Sequence, residues 1–166
     1  LGDGEIVSVE DNGRGIPVDL HEESGLSALE LVMCHLHSGG KFGKEQVSAG
    51  LHGIGVAAVN AVSSTMAAAV SRDGHLYAQS YTRGEPDGPV EEVQRTDRTG
   101  TTITFIRDLD IFTGVTDYDA TRIVRRLEEL AFLNAGLTIW FSDTRDEETV
   151  PLEMEIKYKG GIGEYL

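Results

Sequence analysis

Two glycine-bearing segments carry residue types and spacings suited to chemistry. The first is Asp11-Asn12-Gly13-Arg14-Gly15-Ile16-Pro17. An acid followed by two glycines puts a carboxylate at the floor of a cleft beside backbone bare enough for a flat ring to approach. An ionised carboxylate only accepts hydrogen bonds. It therefore suits the exocyclic amine of adenine and faces guanine's carbonyl oxygen unpaired, a mismatch that supplies selectivity. The plain alternative is a turn in which Asp11 or Asn12 bonds its own backbone, the commoner role of an isolated Asp-Asn-Gly. The second segment, Gly50-Leu51-His52-Gly53-Ile54-Gly55, runs into an apolar stretch. Glycines before a helix start aim several N–H groups and a positive dipole end at one point, which holds phosphate oxygens without lysines. It matches neither the Walker loop nor GxGxxG, and its glycines could equally serve close helix packing.

Other candidates do not rise to sites. Cys34, His35 and His37 sit within four positions, but residues two apart on a helix face different ways and cannot chelate one ion, so no metal site is assigned. His52 fits a phosphate-contacting turn better than an acid-base role. The acid run Asp143 to Glu148 reads as a solvated loop, and Glu22-Glu23 as a charge pair near a helix start. Trp140, between Ile139 and Phe141, reads as sheet packing.

The elements that must position these residues follow from periodicity. Glu5 to Glu10 alternates like a half-buried strand and ends at the breaker cluster Asp11-Asn12-Gly13. Leu26, Leu29, Met33 and Leu36 mark an amphipathic helix with Ser24 near its cap and Ser38-Gly39-Gly40 as its end. A second helix begins between Leu51 and Gly55 and continues through Val56, Val59 and Val62. Thr65 to Arg72 and His75 to Thr82 flank Asp73-Gly74, a tight-turn dipeptide. Val90 to Gln94 and Thr101 to Arg107 add strands. A helix over about 117–133 turns Ile123, Leu127 and Leu130 inward and stops at Asn134-Ala135-Gly136. Leu137 to Ser142 and Leu152 to Lys159 make a last hairpin. The class expected is α+β, a two-layer sandwich of helices on a mixed, largely antiparallel sheet shared by both halves of the chain.

With 166 residues, 40% of them hydrophobic, the chain is sized for one domain that buries roughly 70% of its extended surface without disulfide or metal. The lone Cys34 fits a reducing compartment. No run approaches the ~20 apolar residues of a membrane span, and no secretory signal is read at the start, so no membrane association and a cytoplasmic location are expected. Fourteen basic against 28 acidic residues leave a formal charge of −14. Such a surface repels phosphate backbones, so direct DNA binding by this piece is not expected. A small anion held by local N–H groups remains compatible.

The order of the two segments, about forty residues apart across an amphipathic helix, is the specific signal. Together with LHSGGKF, SAGLHGIGVAAVNAVS, RTGTTITF and LEELAFLNAGLTI, it resembles the ATPase domains of gyrase B and topoisomerase IV type subunits, in the GHKL superfamily. The resemblance implies an incomplete Bergerat fold over 1–166, with 160–166 leading toward a transducer domain. It implies that Asp11 reads adenine with Gly15 near the base and Thr101 completing a water-linked network. Ile16, Pro17, Val32 and Ile103 would form apolar walls, and Arg14 and Arg72 the pocket mouth. Lys41 and Gly50, Leu51, His52, Gly53, Ile54 and Gly55 would take the phosphates. ATP is the implied cofactor, with Mg2+ in the complete protein. The implied partners there are a gyrase A-type subunit, DNA and a second copy of the chain.

Departures shape the expected activity. The family's catalytic glutamate and magnesium-holding asparagine lie upstream of the Asp-Asn-Gly motif, where this sequence has only ten residues. The lid FGKEQVSA is short, lacks the family tyrosine, and Ala49 replaces a glycine. The chain alone is thus expected to bind adenine nucleotide weakly without turnover, with no catalytic residue of its own. The competing reading is a degenerate protein-interaction module of the same fold. LHSGGKF and the C-terminal match disfavour the sensor-kinase and mismatch-repair branches.

Overall fold

The structure, a computed structural model, describes residues 6–22, 24–36, 54–114, 117–145 and 152–158. Chain contacts divide it into two compact units, one over Ile6–Thr113 and one containing the described residues from Gly114 onward.

The first unit is built on an antiparallel sheet. Strands β1 (Ile6–Glu10), β2 (Ser63–Arg72), β3 (His75–Thr82), β4 (Glu85–Pro86), β5 (Glu91–Arg95) and β6 (Gly100–Arg107) run in the order β1-β6-β2-β3-β4, with β5 also on β3. Every pairing among the described residues is antiparallel. The β2–β3 hairpin closes at Asp73 and Gly74, with φ of 51° and 83°, as the Asp-Gly dipeptide requires. Alternation along β2 turns Met66, Ala68 and Val70 to one face, where all three are buried.

Helices α1 (Ala28–Cys34) and α2 (Gly55–Ala61) supply the second layer. Leu29 and Met33, four apart on α1, are fully buried with Met66, Ala68, Val70 and Tyr81 in one cluster. Asn60 of α2, also buried, donates from Nδ2 to the carbonyls of Met33 (3.0 Å) and Gly84 (3.5 Å). It ties both helices to the β3–β4 turn. The fold class is therefore α+β, helices layered on an antiparallel sheet, as the sequence pattern implies.

Two local expectations are corrected. The α1 cap is Ser27, whose Oγ accepts from the Glu30 N–H at 3.0 Å. Ser24 is spent on a preceding turn, its Oγ accepting from the Leu26 N–H at 3.3 Å. Leu36 falls beyond the helix, because His35 is already extended, and is 60% exposed.

The second unit is α3 (Ala120–Leu133) against the hairpin β7 (Thr138–Asp143) and β8 (Leu152–Lys157), which form a two-stranded sheet of their own. The sheet shared by both halves thus extends to β5 and β6 but does not include this hairpin among the described residues. Helix α3 starts three residues later than expected. Asp119 caps it by accepting from the Arg122 N–H at 3.0 Å, while Asp117 bonds Tyr118 and Arg145. Ala131, Phe141 and Ile156 are buried, and Phe132 meets Tyr158 edge-on at 5.9 Å. Trp140 is not sheet packing. Ile139 and Phe141 turn one way, so the pleat sends Trp140 the other, where it is 75% exposed. The expected link at 160–166 lies outside the described residues.

Candidate functional site

Strand β1 ends by handing its ladder to β6. The Asp11 N–H donates to the Thr101 carbonyl at 2.9 Å, and the Thr101 N–H returns to Asp11 Oδ1 at 3.3 Å. The same Oδ1 accepts from the Gly13 N–H at 2.8 Å. Asp11 therefore does form the self-bonded turn that its sequence allows. It spends one oxygen on it; among the described residues Oδ2 takes no donor. Two N–H groups on Oδ1 fix the carboxylate's plane, leaving Oδ2 as an oriented acceptor.

Thr101, 6% exposed, works from both ends. Its main chain holds Asp11, and its Oγ1 accepts from the Ile16 N–H at 3.2 Å. The hydroxyl hydrogen stays available to a ligand or bridging water. One residue thus couples the carboxylate to the far end of the glycine loop.

Gly15 lies against β2 with φ of +77°. A Cβ there would stand 2.8 Å from the Ser71 carbonyl oxygen and 3.0 Å from Val70 Cγ1. The loop is pinned from outside as well, because Arg72 Nη1 donates to the Gly15 carbonyl at 3.0 Å while its Nε pairs with Asp73. Ile16, Val32 and Ile103 pack against the buried cluster from loop, α1 and β6 respectively. Pro17 is half-buried and Arg14 exposed.

Sequence reasoning assigns no role to Gly100. Its φ is +137°, and a Cβ would fall 2.0 Å from the Asp11 carbonyl oxygen. A glycine opening a strand is the available signal, but only the β1–β6 register shows what approaches it.

At the other segment, Ile54 and Gly55 open α2. Among the described residues no side chain caps the helix start, and none lies within 4 Å of where a Cβ on Gly55 would stand. Lys41, Gly50, Leu51, His52 and Gly53 lie outside the described residues, as does His37. Among the described residues no three His, Cys, Asp or Glu side chains stand together as a metal would need. What the described residues bring together is an oriented acceptor on Asp11, a glycine approach at Gly15 and the apolar side chains of Ile16, Val32 and Ile103.

Tyr81 is buried in the core cluster and Cys34 packs against it. Burial, reinforced by Glu30 and Glu85, pushes the Cys34 thiol up to about 11. Burial likewise raises Tyr81, whose hydroxyl donates to Gln79 Oε1 at 2.7 Å. Neither is poised as a nucleophile or base.

A family model described as "Histidine kinase-, DNA gyrase B-, and HSP90-like ATPase" matches residues 2–111. Over 162 residues the chain is 48% identical to the DNA gyrase B protein of Borrelia hermsii, 49% to that of Thermotoga maritima and 46% to that of Halalkalibacterium halodurans. Each match covers 96% of this chain and 25% of the relative, so the chain spans about a quarter of the length of these curated relatives.

Proposed function

Because the chain belongs to the histidine kinase-, DNA gyrase B- and HSP90-like ATPase family, we propose that it is the ATP-binding core of a gyrase B-like topoisomerase subunit. Asp11 Oδ2 takes the exocyclic amine of adenine, and Thr101 Oγ1 closes a water-linked network at the same edge. Gly15 gives the ring its approach between Ile16, Pro17, Val32 and Ile103, with Arg14 and Arg72 at the mouth. Lys41, Gly50 to Gly53, Ile54 and Gly55 hold the phosphates through N–H groups and charge. ATP with Mg2+ is the cofactor of the complete subunit, where the metal would supply neutralisation of the phosphate charge. In that setting nucleotide binding and hydrolysis are coupled to DNA strand passage in the cytoplasm, with a gyrase A-type subunit and a second copy as partners. Residues 1–166 serve as its nucleotide-binding domain.

What carries the reading is the division of labour at Asp11, with Oδ1 locked by two N–H groups and Oδ2 left as acceptor. Calorimetry of the chain with ADP tests it. Asp11→Asn can keep its oxygen on the Gly13 and Thr101 N–H groups while presenting an NH2 toward adenine, so affinity should fall by about tenfold or more with little loss of stability. GDP should give no binding. A variant that binds ADP as well as the parent would refute the assignment, and a parent that binds no adenosine nucleotide would point to an interaction module.

A further inference from the structure

The outward face of the β7–β8 hairpin carries a constellation that the nucleotide site does not use. Trp140 is 75% exposed and stands directly opposite Glu155 in the strand register. Glu153, opposite Ser142, and Lys157, opposite Thr138, occupy the two diagonals. Side chains at such positions lie about 5 to 8 Å apart, within reach of one bound group. The core does not need the indole, since Phe141 and Ile156 fill the inward face. Glu153 and Glu155 take part in no ion pair among the described residues.

We propose that Trp140, Glu153 and Glu155 form a docking site for an arginine-bearing segment of a partner polypeptide. A guanidinium stacks flat on an indole face while its N–H fork reaches a neighbouring carboxylate, a combination that the compact lysine ammonium meets less well. Lys157 sits at the far diagonal and competes as the resident cation. The same carboxylates repel nucleic-acid phosphates and anionic lipid. Six of the chain's ten arginines, Arg72, Arg83, Arg98, Arg125, Arg126 and Arg145, are engaged by its own carboxylates, and a charge of −14 opposes a second copy at this acidic face.

Trp140 is the sole tryptophan of the chain, so its fluorescence reports the site directly. The 166-residue chain is titrated with the peptide Gly-Arg-Gly-Arg-Gly and with its lysine counterpart. A saturable change in emission is expected, with the arginine peptide bound about threefold to fivefold more tightly. Glu155→Gln should weaken it by a similar factor and Lys157→Gln should strengthen it, whereas Glu91→Gln on β5 should leave it unchanged. Circular dichroism verifies that these exposed-face variants fold. Equal weakening by Glu91→Gln and Glu155→Gln, no preference for arginine, or a non-saturating signal overturns the proposal. An emission shift that grows with protein concentration alone also overturns it, in favour of a second copy as occupant.

Discussion

The main chain of Gly100 lies so close to that of Asp11 that a Cβ on Gly100 would stand 2.0 Å from the Asp11 carbonyl oxygen. The neighbour is backbone, fixed by the Asp11–Thr101 bond at 2.9 Å, so no rotamer can relieve the clash. Gly100→Ala also meets an unfavourable φ of +137°. It should cost about 2 kcal/mol or more by denaturant unfolding. ADP affinity should fall with it, since Asp11 must move. An alanine variant with parental midpoint and affinity would show that the strands separate freely here.

Gly15 and Gly55 separate two uses of glycine. Gly15→Ala introduces a Cβ 2.8 Å from the Ser71 carbonyl at φ +77° and should cost about 1–3 kcal/mol while displacing the loop that Arg72 holds. Gly55→Ala meets no described residue at the start of α2 and should raise stability by up to about 1 kcal/mol. Thermal melts of both variants decide it. Destabilisation by Gly55→Ala would mean that the position carries a backbone constraint.

The sequence reveals what is local and hides what is joined across the chain. The Asp73-Gly74 turn, the alternation of β2 and the Leu29–Met33 stripe are legible because each is set within ten residues. So is the carboxylate of Asp11 at a strand end. The grip of Thr101 on Asp11 spans ninety positions, and that of Arg72 on Gly15 spans 57. Neither leaves a mark until the strands are ordered β1-β6-β2. Ser24 and Ser27 are equally good caps by residue type; the turn closed by the Gly25 N–H on the His21 carbonyl decides between them. The exposure of Trp140 is hidden because alternation tells which residues share a face, not whether that face is covered.

Alkaline pH should loosen the first unit. Cys34 is raised to about 11 from an ordinary 9.0, and Tyr81 is raised above its ordinary 10.0, both chiefly by burial. Each stays neutral in the fold after its unfolded counterpart would have ionised. Their contribution to stability is full below about pH 9 and is lost as pH rises through the folded values. Unfolding free energy should therefore decline above pH 9, and Tyr81→Phe should flatten the later part of that decline. Native Cys34 should react with a disulfide reagent at pH 8 about a hundredfold more slowly than in urea, the ratio set by two units of thiolate population. Equal rates in both states would contradict the thiol's placement.

Arg145 closes the second unit at the mouth of the β7–β8 hairpin. Its Nε and Nη2 pair with Asp143 at 2.9 and 2.7 Å, and Nη1 reaches Asp117 at 2.5 Å and the Tyr118 carbonyl at 2.8 Å. With only 20% of its side chain exposed, it joins the approach to α3 to the end of β7. The hydrogen bond from Arg145 holds the Asp143 carboxyl below its ordinary 3.8. That contribution is present above pH 3.8 and is lost as pH falls through the lower folded value. Arg145→Ala should cost about 2 kcal/mol, because it removes charge-assisted bonds and strands a half-buried carboxylate. Asp143→Asn should remove part of the acid sensitivity while retaining the oxygen facing Arg145. Backbone amide exchange over 117–145 and 152–158, followed from pH 7 to pH 3, reads both effects. Exchange that accelerates equally in the parent and in Asp143→Asn would exclude this pair as the source of acid lability.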